Sequence, residues 1–120
     1  MKVKRIGLDL AKNIFQIHGV DIDEQTIVRQ RLKRVAVLSY FARLDRVNGC
    51  VVGMESCCGS DYWARELRKL GYEVRIMNPK FVKPYVKSAK NDARDAEAIC
   101  EAVGRPTMRF IPVKTLEQQD

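Results

Sequence analysis

The stretch that decides the fold is KVKRIGLDLAKNIFQIHGVDIDEQTIVRQRLK, residues 2–33. Three runs within it are rich in β-branched and other apolar residues, which predicts strands over residues 2–10, 14–21 and 26–33. The links between these runs are short, and the second link is an acidic turn. Because strands joined by so few residues pair antiparallel, the stretch predicts a three-stranded antiparallel meander.

The rest of the chain alternates between helical and strand patterns. Apolar residues at helical spacing predict a helix over residues 35–46, and we expect Asn48-Gly49 to end it. The later predicted segments are a strand over 50–56, a helix opened by residues 58–61 with Trp63, Leu67 and Leu70 facing the core, a strand over 73–79 closed by Pro79, a helix over 92–103 and a further strand over 108–113. This order predicts an α/β fold of the ribonuclease H-like class: a mixed sheet in which parallel strands extend the antiparallel meander and helices cover the faces.

Composition limits the classes of function. A chain of 120 residues with 46% hydrophobic residues suffices for one compact domain with a single core. Its net charge of +7 and sequence pI of about 9.4 favour polyanionic partners such as nucleic acid. No apolar run reaches transmembrane length and no signal peptide is recognisable, so we expect a cytoplasmic protein without a membrane partner. The four cysteines lack metal-site spacing, which disfavours a disulfide framework and a structural zinc site.

Two of the predicted strands contain the same Gly-x-acid pattern, at Gly7-Leu8-Asp9 and at Gly53-Met54-Glu55. Side chains alternate between the faces of a strand, so each acid shares a face with its glycine and not with the apolar neighbours. The glycine leaves room beside the carboxylate for an ion or a backbone. If the two strands are parallel neighbours, Asp9 and Glu55 lie on adjacent strands about 4.8 Å apart.

Two further acids begin the last long helix, in the stretch KNDARDAEAICEA (90–102). Asp92 and Asp95 are three apart, on the same side of the helical wheel as the apolar Ile99 and Val103. Capping of the helix N-terminus is the simplest role for such residues. Inward carboxylates are unfavourable, however, unless a cation or hydrogen-bond donors meet them. The four acids together therefore predict a site for a hard divalent cation, Mg²⁺ or in its place Mn²⁺, suited to phosphodiester chemistry.

A basic segment, PKFVKPYVKSAK (79–90), precedes the acidic helix. Its four lysines have no acid among them and are interleaved with Phe81 and Tyr85, a pattern that suits a phosphate backbone and base stacking. The alternative is a solvated lysine face whose aromatic side chains pack inward. The candidate nucleic-acid-binding residues of the chain are Lys12, Lys80, Lys83, Lys87, Lys90 and Arg94.

The ordered set IGLDLAKNIFQIHGVD, VVGMES, YWARELRKLGYEVRIMNPKFVKPYVKSAKNDARDAEAICEAV and RPTMRFIPVKT resembles the N-terminal, RuvC-like domain of the DEDD transposases of bacterial insertion sequences, the IS110 family. The resemblance covers nearly the whole chain. It implies that Asp9, Glu55, Asp92 and Asp95 form the D-E-D-D tetrad and coordinate Mg²⁺. It also implies DNA strand cleavage and exchange guided by a structured, guide-like RNA encoded by the element.

The resemblance also implies a division of labour within a longer protein. Residues 1–113 are expected to form the RuvC-like catalytic domain, and residues 114–120 the start of a linker helix to a missing C-terminal domain that carries a nucleophilic serine. We therefore expect this chain alone not to complete transposition, and the full-length protein to be a homo-oligomer. Two other classes remain open: a non-catalytic nucleic-acid-binding remnant of a transposase, which would not need all four acids, and an actin-like nucleotide-binding fold.

Overall fold

The computed structural model describes residues 1–87 and 92–119, without the side chains of residues 92–94 and 119. Its strands are β1 (Val3–Asp9), β2 (Ile14–Val20), β3 (Thr26–Lys33), β4 (Arg46–Glu55) and β5 (Glu73–Met77). They form one sheet in the spatial order β3-β2-β1-β4-β5. The β1-β2 and β2-β3 pairs are antiparallel, whereas the β1-β4 and β4-β5 pairs are parallel. The predicted meander extended by parallel strands is confirmed, and the architecture is ribonuclease H-like.

Helices cover both faces of this sheet. They are α1 (Val37–Arg43), α2 (Ser60–Lys69), α3 (Pro79–Val82), α4 (Asp92–Val103) and α5 (Leu116–Gln119), with 3-10 turns at Arg34–Ala36 and Lys83–Tyr85. The α4 helix packs against β1, β2 and β4. The α1 and α2 helices contact each other and belong to the opposite face. Among the described residues, no helix is both long enough and apolar enough to cross a bilayer.

The main core lies between the sheet and the α1–α2 layer. Ile6 and Leu8 of β1 are fully buried there, because alternate residues of the strand point to this face. Trp63 of α2 packs edge-on against Phe15 of β2, with ring centroids 5.0 Å apart. Trp63 and Leu67 are buried as predicted, so the tryptophan is a packing residue of the core.

A second, smaller core lies under α4 and depends on two glycines of the sheet. Gly7 of β1 and Gly53 of β4 are paired in register across the parallel strands. A Cβ atom on Gly7 would lie 2.2 Å from the carbonyl oxygen of Ala96, and one on Gly53 would lie 2.6 Å from Cβ of Val103. The room expected beside each acid is therefore occupied by the backbone and side chains of α4, which these glycines allow to approach the sheet closely.

The link between α1 and β4 differs from the prediction. Asn48-Gly49 does not end a helix: α1 ends at Arg43, and both residues lie inside β4. The register jumps there from Val3↔Arg46 to Arg5↔Val51, so β4 bulges, and Gly49 accommodates the bulge with a φ of +79°. The turn dipeptide therefore forms a bulge here, because the strand around it pairs with β1 on both sides.

Two other boundaries also changed. Pro79 does not close β5, which ends at Met77; it is the first residue of α3, whose Asn78 side chain caps the helix by accepting from the backbone N–H of Lys80 at 3.0 Å. The strand predicted over 108–113 was wrong, because only Ile111 makes an isolated bridge, to Ile76.

Candidate active site

Asp9 and Glu55 lie at the carboxyl ends of the two central parallel strands. Asp9 comes two residues after Gly7, and Glu55 comes two residues after Gly53. Because the two glycines are paired in register, the two acids occupy equivalent positions on neighbouring strands. Alternation puts both on the face that α4 covers. Both are half-buried.

The direction of α4 brings a third acid to the same end of the sheet. Ala96 lies over Gly7, and further along the helix the carbonyl oxygen of Cys100 accepts a 2.7 Å hydrogen bond from Nε of Arg5. The helix thus runs antiparallel to β1, with its first turn toward the carboxyl end of the strand. Asp95, one residue before Ala96, is half-buried in that turn.

The pKa values of two side chains at this end of the sheet reflect the charges of the acids. The pKa of Glu55 is raised above its ordinary value, first by burial and then by the negative charge of Asp95. The pKa of the Cys57 thiol is raised by burial and then by the charges of Cys58, Glu55 and Asp9. A carboxylate such as Glu55, whose ionisation is disfavoured by burial and by a neighbouring negative charge, would be stabilised by a bound cation.

The structure brings Asp9, Glu55 and Asp95 into this region without assembling a closed cage. Within residues 1–87 and 92–119, no group of three or more His, Cys, Asp or Glu side chains has the geometry to hold a metal ion. Asp92 is the first residue of α4, but its side chain lies outside the described residues. The chemistry of the donors nevertheless fits a hard divalent cation, since all three are half-buried carboxylates on one face.

The predicted cations surround this end of the sheet only in part. Lys80, Lys83 and Lys87 are exposed along α3 and the turn after it, and Lys12 is exposed in the link between β1 and β2. The positive charge of Lys87 acts on His18 of β2, under α4. The remaining two predicted residues, Lys90 and Arg94, lie outside the part of the chain whose side chains are described.

The aromatic residues of the basic segment divide between the two alternatives. Phe81 is 41% exposed, and the ammonium of Lys80 lies 5.4 Å from its ring centroid. Tyr85 is half-buried against the second core and also carries the guanidinium of Arg105 at 5.3 Å from its ring centroid. Phe81 therefore keeps a face for a ligand, whereas Tyr85 is mainly a packing residue.

Sequence reasoning missed Gln16, which faces Asp9 directly across the antiparallel pair of β1 and β2. Its side chain is only 7% exposed, as is that of His18, which faces Gly7. The available signal was the alternation of β2, which puts the polar Gln16 and His18 in phase with each other. Only the strand register shows that Gln16 and His18 lie on the same face of the sheet as the acids.

Comparison with known proteins identifies the family of the chain. Residues 6–120 match the model of a family described as transposase, of the DEDD type represented by IS110. The chain is 57% identical over 119 residues to a "Probable family 20 transposase" of Pseudomonas aeruginosa, which covers 99% of this chain and 34% of that protein. It is 46% identical over 118 residues to the transposase for insertion sequence element IS1111A of Coxiella burnetii, covering 98% and 32%. It is 44% identical over 117 residues to the transposase for element IS1328 of Yersinia enterocolitica, covering 98% and 34%.

The chain spans about a third of the length of these curated relatives. The match nevertheless covers almost all of its own residues, from the strand that carries Asp9 to the end of the chain. The chain belongs to the DEDD transposase family of IS110-type insertion sequences.

Proposed function

We propose that this chain carries the DNA-cleaving site of a transposase, in which Asp9, Glu55, Asp92 and Asp95 hold Mg²⁺ or Mn²⁺. The observation that supports it best is the juxtaposition of half-buried carboxylates at the carboxyl ends of two parallel strands. Burial and the charge of Asp95 raise the pKa of Glu55 in this group. A group held in this way is poorly stable as an isolated anion and gains most from a cation.

When bound, the ions supply charge stabilisation to the attacking and leaving oxygens of a phosphodiester. The residues of the chain have three tasks. The carboxylates bind and orient; Gln16, beside Asp9, restricts solvent on the β2 side; and α4, seated on Gly7 and Gly53, sets the distance of Asp95 from the strands. Lys12, Lys80, Lys83, Lys87, Lys90 and Arg94 are proposed to hold nucleic-acid phosphates nearby.

Cleavage and binding of Mg²⁺ can be tested on the purified chain. In an NMR titration, Mg²⁺ should shift the signals of Asp9, Glu55 and Asp95, and Mn²⁺ should broaden the same signals. Element-end DNA should be nicked slowly by the wild type and not by Asp9→Asn. The matched control is Asp45→Asn, an exposed acid on the link before β4. Shifts spread evenly over surface acids, with nicking that persists in Asp9→Asn, would show that the chemistry has been misplaced.

Transposition as a whole is proposed for a full-length protein, because the relatives are about three times as long as this chain. In that proposal residues 1–113 are the strand-cleaving domain, residues 114–120 lead towards a domain with the nucleophilic serine, and the full-length homo-oligomer uses a structured guide-like RNA. The 120 residues incubated with Mg²⁺, element-end DNA and RNA should yield no joined strands. Joined products that vanish in Asp9→Ala would contradict this division.

A non-catalytic, nucleic-acid-binding role is the second candidate. It is favoured by the lack of a preassembled group of three metal ligands among the described residues. The two candidates differ in the metal titration. A binding module would retain DNA affinity while Mg²⁺ left the signals of Glu55 and Asp95 unshifted.

A further inference from the structure

The strand at the edge of the sheet next to β2 carries a row of cations that the acidic site does not use. Residues 25–44 contain five Arg or Lys residues and no Asp or Glu. Three of the five, Arg29, Arg31 and Lys33, alternate along β3 and so share one face of it. All three are exposed. We call them the β3 stripe.

Register puts the β3 stripe on the same face of the sheet as the acids. Arg31 pairs with Gln16, which pairs with Asp9 on the next strand. Arg29 likewise pairs with His18, which pairs with Gly7. Directly opposed residues of antiparallel strands point to the same side, so both rows lie on the face of the sheet that α4 covers. The stripe remains exposed because α4 packs mainly on β1, β2 and β4.

The dimensions of the stripe match those of a nucleic-acid backbone. Alternate residues of a strand are about 6.7 Å apart, so the three cations span about 13 Å. One strand of a B-form duplex presents about four phosphates over that length, at one per 3.4 Å of axis. Two strand spacings separate Arg31 from Asp9, which is about 10 Å. Lys33, the last residue of β3, lies at the same end of the sheet as Asp9, because β1 and β3 are each antiparallel to β2.

The β3 stripe makes no ion pair within the described part of the protein. None of the ion pairs between described residues involves Arg29, Arg31 or Lys33. Burial lowers the pKa of His18, the charge of Glu97 opposes that effect, and the positive charges of Arg29 and Lys87 lower it further. Arg29 of the stripe and Lys87 of the basic segment thus act on the same buried imidazole.

We propose that the β3 stripe binds the phosphate backbone of the DNA duplex whose strand is cut at Asp9, Glu55 and Asp95. The inference rests on the proposed function and adds the surface along which the substrate lies. DNA is the occupant because the stripe lies on the same face as the acids and its last residue, Lys33, lies at the same end of the sheet as Asp9, so a backbone lying on the stripe leads toward the end of the sheet where the acids lie. A guide-like RNA has no need to reach the carboxylates, and its binding to the stripe is an alternative outcome of the test.

The test is binding of labelled duplex DNA by fluorescence anisotropy, in EDTA so that metal binding has no influence, over a range of salt concentrations. The variant replaces all three stripe residues by glutamine, which removes charge from exposed positions and keeps most of each stem. The control removes the same charge from exposed cations away from the acid face. The control substitutions are Lys2→Gln, Arg43→Gln and Lys69→Gln.

Loss of three phosphate contacts should weaken DNA binding at least tenfold at low salt and reduce the slope of log K against log salt by about 2–3. The control variant should change the affinity less than threefold. A single reversal, Arg31→Glu, should weaken binding more than Arg43→Glu, and circular dichroism verifies that each variant is folded. Unchanged DNA affinity in the folded stripe variant overturns the proposal, whether or not its affinity for structured RNA falls.

The outcome is separable from that of the proposed function. Asp9→Asn should abolish nicking and leave DNA affinity in EDTA intact. If Asp9→Asn abolishes nicking while the stripe variant binds DNA as the wild type does, the site stands and the β3 surface is wrong. If the stripe variant loses DNA binding while Mg²⁺ does not shift Asp9 or Glu55, the DNA surface stands as a binding surface and its link to cleavage is wrong.

Discussion

Gly7→Ala should separate α4 from the sheet, because the helix backbone fills the space where the new methyl group must go. The added Cβ would lie 2.2 Å from the carbonyl oxygen of Ala96 and 2.4 Å from the backbone nitrogen of Cys100. Ordinary contact begins at about 3.4 Å, so α4 must retreat from β1 by about 1.2 Å. No side-chain rotation relieves this overlap, since both atoms belong to the backbone of the helix.

Overpacking of this kind costs typically about 1–3 kcal/mol, and here we expect the upper part of that range. The hydrogen bond from Arg5 to Cys100 holds the helix in place, so movement of α4 also strains that contact. At about 4 °C for each kcal/mol in a domain of this size, Tm should fall by about 8–12 °C. Asp95 moves away with the helix, so the pKa of Glu55 should fall toward its ordinary value.

The assays are thermal unfolding by circular dichroism and an NMR pH titration of the Glu55 carboxyl carbon. The comparison variant is Gly53→Ala, whose Cβ meets the side chain of Val103 at 2.6 Å instead of backbone. Val103→Gly should therefore couple favourably with Gly53→Ala in a double-mutant cycle, and it should not restore Gly7→Ala. A Tm within about 2 °C of the wild type for Gly7→Ala, with the pKa of Glu55 unchanged, would refute the close packing of α4 on β1.

Three further predictions concern ionisation and the core. The folded-state pKa of Glu55 lies above its unfolded value, so its ionisation destabilises the fold as pH rises through these two values. Glu55→Gln should therefore raise Tm at neutral pH in EDTA. It should also abolish stabilisation by Mg²⁺, as measured by thermal melts with and without the ion. The pKa of Glu24 is lowered to about 2 by its hydrogen bonds with Arg5 and Lys4, so this contact stabilises the fold above pH 4.5 and is lost as pH falls toward 2. Glu24→Gln should flatten the pH dependence of the free energy of unfolding in that window. An unchanged pH dependence would count against the contact. Tyr72→Phe removes a buried 2.6 Å hydrogen bond to the carbonyl oxygen of Phe41, which still accepts a hydrogen bond from Arg46. The free energy of unfolding, measured in urea, should therefore fall by about 1 kcal/mol. A fall of more than about 3 kcal/mol would indicate a different role for the hydroxyl.

Local patterns were sufficient wherever a single periodicity decides the structure. The alternation of β1 places Ile6 and Leu8 in the main core and Gly7 and Asp9 on the other face, as the structure confirms. The helix predicted over 92–103 has those bounds, because its apolar residues repeat at helical spacing over three turns. The tetrad residues came from the same patterns together with the resemblance; their assembly into one metal site and their catalytic roles remain predictions.

Local patterns failed where a distant strand competes for the same backbone. Asn48-Gly49 has the composition of a turn, yet it forms a bulge inside β4, because β4 pairs with β1 on both sides of it, at Arg46 and from Val51 onward. Residues 108–113 have the composition of a strand, but only Ile111 bridges the edge of the sheet. The segment's own sequence predicts neither conformation, because the stabilising hydrogen bonds depend on whether another strand pairs with it.

The sequence by itself determined the kind of each main element, the face each side chain occupies within its own strand or helix, and the family to which the chain belongs. Only the tertiary structure decided that Gly7 pairs with Gly53, that α4 runs antiparallel to β1 and turns Asp95 toward Glu55, and that the arginines of β3 lie in the same rows as Asp9 and Gly7. The physical reason is the distance along the sequence over which the deciding contacts act. Periodicity reflects contacts within a few residues of one chain segment. Register and helix direction are set by packing between segments up to 95 residues apart, as in the hydrogen bond that Arg5 donates to Cys100.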